Sequence, residues 1–108
     1  MAIATAEAGE VTLAYEETGP DSPTGDPLIL IAGGFMDMDH WQFQADALAG
    51  DRRVIRFDQR GHGLTGSALD GDYSREAFVA DVDRVTVAVG LDRFVLVGDS
   101  MGGAMLLK

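Results

Sequence analysis

Apolar residues recur along this chain with two different spacings, which predict strands that alternate with helices. Mostly apolar runs at Leu28 to Ile31, Arg53 to Phe57 and Phe94 to Val97 are typical of strands buried on both faces of a sheet. Stretches rich in glycine and polar residues separate them from the intervening segments. The pattern predicts three parallel strands at the centre of the fold.

Helical spacing occurs twice between these strands. One helix is predicted from about Asp39 to Leu48, with Trp41 facing inward. For the second helix, Ser74 is typical of an N-cap and Gly90 of a helix end. The apolar residues between them follow a helical repeat: Phe78, Val82, Val85 and Val89. Helices of this length between parallel strands imply right-handed crossovers and a sheet covered on both faces.

The first residues predict a hairpin. Ala2 to Ala8 and Val11 to Glu17 alternate weakly, and Gly9-Glu10 between them is typical of a tight turn, so two antiparallel edge strands are expected. A loop rich in glycine, proline and aspartate follows from Gly19 to Pro27. The predicted fold class is therefore α/β, with a mostly parallel sheet, helices on both faces and residues 1–108 within one domain.

Composition narrows the possible functions. The 108 residues suffice for one domain, and 46% of them are hydrophobic, which is typical of a folded core. With 18 acidic and 8 basic residues the net charge is −10, so we expect no nucleic-acid partner and no anionic membrane partner. The lack of cysteine excludes disulfides and thiol nucleophiles. No signal-peptide pattern or apolar run near ~18 residues occurs, and a cytoplasmic location is expected.

The strongest chemical signal is a serine flanked by glycines. Residues 98–102 read Gly-Asp-Ser-Met-Gly after a predicted strand, which is the G-x-S-x-G pattern of a nucleophile elbow. Such a turn strains its central residue and lifts the hydroxyl away from the sheet, so Ser100 is the predicted nucleophile. The backbone N–H of Met101 would lie in the first turn of a helix, where it can stabilise an oxyanion.

Two further motifs precede the elbow. Residues 33–35 read Gly-Gly-Phe after one predicted strand, and residues 58–63 read Asp-Gln-Arg-Gly-His-Gly after the next. In this order the three motifs resemble the amino-terminal half of an α/β-hydrolase, and the resemblance covers nearly the whole chain. It implies a three-layer α/β/α fold, a second oxyanion donor in the Phe35 amide and a scaffold role for Asp58 and Arg60. Gly33 stands where the family usually has histidine, which puts the rigidity of that loop in question.

The resemblance also implies an activity. Ser100 would attack an ester, lactone or similar acyl bond of a small, rather apolar molecule, the two amides would hold the oxyanion, and water would release the acyl group. No cofactor or metal is implied. Candidate substrate-binding residues are Gly34, Met36 and Trp41. Core packing explains Trp41 equally well. Lactone hydrolases, carbon–carbon bond hydrolases, esterases and cofactor-free haloperoxidases share this half of the fold, and these residues do not separate them.

Other interpretations of the site motifs are weaker. Residues 61–66 also fit the G-x-G-x-x-G dinucleotide pattern, but a polar loop follows them and the helix opens only at Ser74. Asp99 stands beside the serine, and some hydrolases of this fold attack with an aspartate. However, the attacking atom belongs at the centre of the pentapeptide, which favours Ser100.

The remaining polar candidates lie upstream of the elbow. His40 and His62 are the only histidines, but the family's triad places the histidine after the serine, so neither is favoured as the base. Asp37 and Asp39 are spaced like metal ligands. Nothing else accompanies them, and solvated charges at a helix start are the better interpretation.

No acid and histidine follow Ser100 in this chain. A serine without a base is a weak nucleophile, so we expect a part of a longer hydrolase that is inactive in isolation. We also expect low stability, since the strand before the elbow would have an open edge and the last apolar residues would be uncovered: Met105, Leu106 and Leu107. Two other classes stay open, a receptor-like binder on a hydrolase scaffold and an interaction product that needs a stable partner.

Overall fold

Within the described residues, a five-stranded sheet lies between two helical layers. The computed structural model describes residues 3–8, 11–32, 37–68 and 71–98. The strands are β1 (Ala4–Ala8), β2 (Val11–Thr18), β3 (Leu28–Ile31), β4 (Val54–Phe57) and β5 (Val95–Gly98). The helices of the described ranges are a 3₁₀ helix (Met38–Trp41), α1 (Gln42–Leu48) and α2 (Arg75–Val89). Neither α1 nor α2 has the length and apolar character needed to cross a membrane.

The strand order is β1-β2-β4-β3-β5. β3 pairs in parallel with β4 on one side and β5 on the other, whereas β2 is antiparallel to both β1 and β4. The α/β fold class is confirmed, and its described sheet is mixed because the amino-terminal hairpin joins the parallel strands. The prediction that both hairpin strands are edges is wrong for β2, which is interior because it pairs on both sides.

Alternate residues of β3 and β4 face opposite helical layers, which explains why these strands carry almost no polar residues. On the side of α2, buried residues of β3, β4 and α2 form one cluster: Ile29, Ile31, Ile55, Phe57, Val82 and Val85. On the side of α1 a smaller cluster forms: Leu28, Leu30, Ala45 and Val54. The predicted burial on both faces is confirmed for these two strands.

The helix boundaries show where local signals suffice. The Ser74 hydroxyl accepts a hydrogen bond from the backbone N–H of Ala77 at 3.2 Å, and Gly90 ends α2 with φ +69°, as predicted. The first predicted helix differs, because its first turn is 3₁₀ and begins at Met38. The Asp37 carboxylate caps that turn by accepting from the backbone N–H of Asp39 at 3.0 Å. β4 and β5 each begin one residue later than predicted.

Candidate active site

The three parallel strands end level with one another. Ile31, the last residue of β3, is in register with Phe57 at the end of β4 and with Gly98 at the end of β5. The carboxyl ends of parallel strands form the edge at which α/β sheets bind ligands. Predicted site residues that follow these ends in the sequence lie outside the described residues: Gly33, Gly34, Phe35, Met36, Asp99, Ser100 and Met101. The described residues that flank these positions form a frame, which consists of Ala32, Met38 and residues 58–65.

Asp58, the first residue after β4, joins two segments of that frame. One of its carboxylate oxygens accepts the backbone N–H of Met38 at 2.7 Å, and the other accepts the backbone N–H of Leu64 at 2.7 Å. The side chain is buried. Hydrogen bonds to an ionised acceptor are among the strong ones, so this carboxylate fixes the start of the 3₁₀ helix relative to the loop after β4.

Gly63 is required by the same carboxylate. A Cβ atom at this position would overlap Oδ2 of Asp58, and the backbone has φ +50°. Both facts disfavour any other residue. The spacing of aspartate and glycine in residues 58–63 therefore has a direct steric cause.

Thr65 ties this loop to the neighbouring strand. Its hydroxyl donates to the carbonyl of Asp58 at 2.6 Å and accepts the backbone N–H of Ala14 at 2.9 Å. The side chain is buried, so both polar contacts are shielded from water. No sequence motif singled out Thr65, and only the position of β2 beside β4 reveals its role.

Arg60 forms a two-pronged ion pair with Asp81 of α2. Nε and Nη2 of Arg60 each donate to one carboxylate oxygen at 2.7 Å, and Nη1 donates to the carbonyl of Asp72 at 2.6 Å. Both side chains are buried. The interactions of Asp58 and Arg60 support the scaffold role predicted for them, with separate partners for each. Asp81 was missed, although its spacing of three residues from Phe78 and four from Val85 places it on the inward face of α2, which is a usable signal.

A second buried ion pair lies under the 3₁₀ helix. Arg56 of β4 donates to Oε1 of Glu16 from Nε at 3.0 Å and from Nη2 at 2.8 Å, and its Nη1 donates to the carbonyl of Met38 at 2.9 Å. Both N–H and C=O of Met38 are thus held by residues of or next to β4, namely Arg56 and Asp58. The sequence predicted Arg56 only as part of an apolar strand.

Described residues on both sides of positions 33–36 are held by hydrogen bonds from β4 and the residues after it. On the far side, Met38 is held as described, and on the near side the side-chain amide of Gln59 donates to the carbonyl of Ala32 at 2.7 Å. Gln59 and Ala32 are buried. The strand β4 and the residues directly after it therefore supply both supports for the loop predicted to carry an oxyanion donor.

The histidines and Trp41 have contacts that do not require a ligand. Trp41 is half-buried and packs against the cluster on the α1 side, which supports the core-packing interpretation. The ring of His40 meets it edge-on, with centroids 5.3 Å apart. Nδ1 of His62 donates to the carbonyl of Arg60 at 2.9 Å. Ser100 lies outside the described residues, so the prediction that neither histidine is its base stays a prediction.

A depression of about 190 Å³ lies beside the 3₁₀ helix, and several of its lining groups are acidic. Its two most buried carboxylates, Glu16 and Asp58, already accept the hydrogen bonds described above. Asp37 is committed to capping the helix. Within the described ranges, no set of histidine and carboxylate side chains has an arrangement that could hold a metal ion.

Comparison with known proteins identifies the family to which this fold belongs. The family model for the alpha/beta hydrolase fold matches residues 26–108, so the chain belongs to the α/β-hydrolase family. The solved structure of an N-acyl homoserine lactone degrading enzyme superposes with a TM-score of 0.86 at 30% identity, covering 96% of this chain and 38% of that one. The fold is thus shared with a protein described as degrading a lactone.

Curated relatives widen the range of activities. A 2-hydroxy-6-oxo-2,4-heptadienoate hydrolase of Pseudomonas putida is 35% identical over 99% of this chain and 41% of its own length. A dihydrolipoyllysine-residue acetyltransferase component of an acetoin cleaving system, also from Pseudomonas putida, is 39% identical over 95% of this chain and 27% of its own length. The chain therefore spans well under half the length of the relatives that it matches.

Proposed function

We propose that the complete protein containing this chain is a serine hydrolase that cleaves an ester, lactone or similar acyl bond of a small, rather apolar molecule. One observation carries the proposal. β3 and β5 end in register at Ile31 and Gly98, and these adjacent strand ends directly precede the sequence segments that contain Phe35 and Ser100. A nucleophile and an oxyanion donor must converge on one carbonyl, and adjacent strand ends make that possible.

In the proposed mechanism the oxygen of Ser100 attacks the substrate carbonyl while a histidine from the remainder of the protein takes its proton. The amides of Phe35 and Met101 donate to the developing oxyanion. Collapse of the tetrahedral intermediate expels the alcohol, which receives the proton, and leaves an acyl group on Ser100. Water then attacks that ester and restores the serine. These steps require no cofactor and no metal.

The substrate class rests on the relatives and on the pocket candidates. Gly34 and Met36 are proposed to contact the substrate, together with the part of Trp41 that core packing leaves exposed. The named activities of relatives include action on a lactone and on a heptadienoate. The net charge of −10 supports a small-molecule substrate rather than a nucleic acid or an anionic membrane, and a cytoplasmic location belongs to the same proposal.

Covalent labelling tests the nucleophile. The complete protein should react with a fluorophosphonate at one site, and Ser100→Ala should abolish both the adduct and hydrolysis of p-nitrophenyl esters, with kcat falling by about 10⁵-fold or more. Asp99→Asn is the matched control and should retain labelling. Peptide mass spectrometry would locate the adduct. Absence of any adduct that depends on Ser100 would favour a receptor-like binder on the same scaffold.

Acyl transfer to an acceptor other than water is a second candidate, favoured by the 39% identity to an acetyltransferase component over 95% of the chain. Both activities share the acyl-enzyme and differ only in what attacks it. Adding dihydrolipoamide during turnover of an acetyl ester separates them. Formation of S-acetyl dihydrolipoamide with less free acetate would support the transferase, whereas unchanged acetate release supports the hydrolase.

A further inference from the structure

Gln59 combines a specific contact with an unused polar atom. Its side chain is almost fully buried, with 3% of the residue exposed. The side-chain N–H donates to the carbonyl of Ala32 at 2.7 Å. Among the described residues, no group donates to its Oε1, which is buried as well.

The hydrogen bond between Gln59 and Ala32 lies directly before the loop that is predicted to carry an oxyanion donor. Ala32 follows the last residue of β3 and directly precedes residues 33–36, whose other end is held through Met38. Ala32 lies beyond the last residue of β3, and the hydrogen bond to its carbonyl comes from a side chain, so this side-chain donor helps to orient that peptide. Gln59 lies after the neighbouring strand β4 and supplies the donor.

The choice of glutamine also needs a reason. A buried amide oxygen that receives no donor from the described residues is unfavourable within that part of the chain, and such groups are few in folded proteins. Methionine would fill a similar volume without that cost. The neighbours of Gln59 do not explain it, since Asp58 is bound to backbone N–H groups and Arg60 to Asp81.

We propose that Gln59 is a positioning residue of the proposed hydrolase: it fixes the Ala32 peptide and thereby aims the following loop, with the amide of Phe35, at the oxyanion. This inference rests on the proposed function. Oxyanion donors act only when they are held at hydrogen-bond distance of the developing charge, and a displacement of about 1 Å costs up to about 10²-fold in rate. Loss of the Gln59 contact should therefore lower kcat more than it changes KM.

Two variants of the complete protein test the role. Gln59→Met keeps the volume and loses the donor, and its kcat should fall about tenfold to a hundredfold with KM within about threefold of wild type. Gln59→Glu should be impaired at neutral pH, because a carboxylate cannot donate to the Ala32 carbonyl. Its kcat relative to wild type at the same pH should rise as the pH is lowered, since the protonated acid donates again. The ratio for Gln59→Met should not change with pH.

Thr86→Val is the matched control. The Thr86 hydroxyl is a buried side-chain donor to a backbone carbonyl, that of Asp83 at 2.7 Å, in α2 and away from the strand ends. It should lose stability without loss of kcat. Hydrogen exchange provides a readout without turnover: the peptide containing residues 32–36 should exchange faster in Gln59→Met and not in Thr86→Val.

The outcomes separate this inference from the proposed function. If wild type shows no turnover that depends on Ser100, the proposed function fails. If wild type is active but Gln59→Met keeps kcat within twofold and exchanges residues 32–36 at the wild-type rate, the positioning role is overturned. A fall in kcat for Gln59→Glu that is the same at every pH also contradicts it.

Discussion

Asp58 illustrates how one buried carboxylate constrains the residues around it. Its two oxygens are committed to the backbone of Met38 and Leu64, so the loop between Gln59 and Leu64 has to bend tightly past the carboxylate. Gly63 supplies the space for that bend. Within residues 58–63, the buried carboxylate of Asp58 and the missing side chain of Gly63 therefore depend on each other.

Gly63→Ala should be strongly destabilising. The new methyl group would overlap the Asp58 carboxylate, and the positive φ adds strain of about 1–3 kcal/mol. Chemical denaturation of the complete protein should show a loss of more than about 2 kcal/mol. Gly66→Ala is the control in the same loop, because a Cβ there would meet nothing within 4 Å, and its effect should stay below about 1 kcal/mol. Equal losses for the two variants would contradict this account.

At the scale of elements, α2 is joined to the loop before it by polar contacts at two levels. Arg60 binds Asp81 within the helix and the carbonyl of Asp72 ahead of it. Asp72 in turn accepts the backbone N–H of Ser74, the residue that caps α2. Hydrogen bonds from the Ser74 side chain, then from its backbone, lower the pKa of Asp72 below its ordinary value of 3.8, with a smaller contribution from the charge of Arg60.

This lowered pKa predicts a pH-dependent stability. The folded state favours ionised Asp72, so the unfolded state binds more protons in acid. The contribution is complete above pH 3.8 and is lost as the pH falls through the lowered pKa of the folded state. Urea unfolding should therefore show a lower free energy of unfolding for Asp72→Asn than for wild type at neutral pH. The two values should converge below that range. The effect should be small because the group is exposed.

Ser74→Ala provides the check on the cause. It removes the largest source of the pKa shift and keeps the backbone N–H of residue 74, so in that background Asp72→Asn should have a smaller effect at neutral pH than it has in wild type. If the difference in free energy of unfolding between wild type and Asp72→Asn stays constant with pH, the carboxylate does not contribute to stability through its ionisation.

Sequence patterns predicted the bounds of a strand or helix well where residues close in sequence determine those bounds. The apolar run of β3 was located to the residue, and Ser74 and Gly90 delimit α2 as expected. The interior position of β2 was not predictable, because weak alternation does not reveal that Thr18 pairs with Val54. The 3₁₀ turn at Met38 was also missed, since it depends on Asp37 and on contacts from β4.

The site was predictable in its motifs and not in its supports. A glycine-flanked serine and the aspartate of residues 58–63 are visible in one window of sequence. The partners that hold the frame are far apart along the chain, as with Arg60 and Asp81 or Gln59 and Ala32. Buried polar pairs of this kind form only once the strands and helices are assembled, so no single window contains both members.

At the scale of the whole molecule, β5 is less protected than its neighbours. β3 and β4 are buried throughout, whereas Val95 at the start of β5 is 43% exposed, and among the described strands β5 pairs only with β3. An apolar parallel strand with a free edge is prone to pair with other chains. The described part of the sheet therefore offers a surface that further structure would have to cover.

A polypeptide of residues 1–108 alone should consequently associate or unfold readily. Sedimentation velocity at micromolar concentration should show oligomers or aggregates despite the net charge of −10, and a thermal scan should show a broad transition of low amplitude. Coexpression with the remainder of the protein should reduce association. A monodisperse monomer with a cooperative melt would refute this expectation.

The strand order also affects the protein during its synthesis. β3 has both of its neighbours, β4 and β5, later in the sequence, so Leu28 to Ile31 leave the ribosome before either can pair with them. At about 5–20 residues per second, several seconds pass before β5 emerges. During that time the edge of the apolar segment Leu28 to Ile31 that β5 will cover stays open even after β4 has emerged, which makes it a natural binding site for chaperones that act on growing polypeptides.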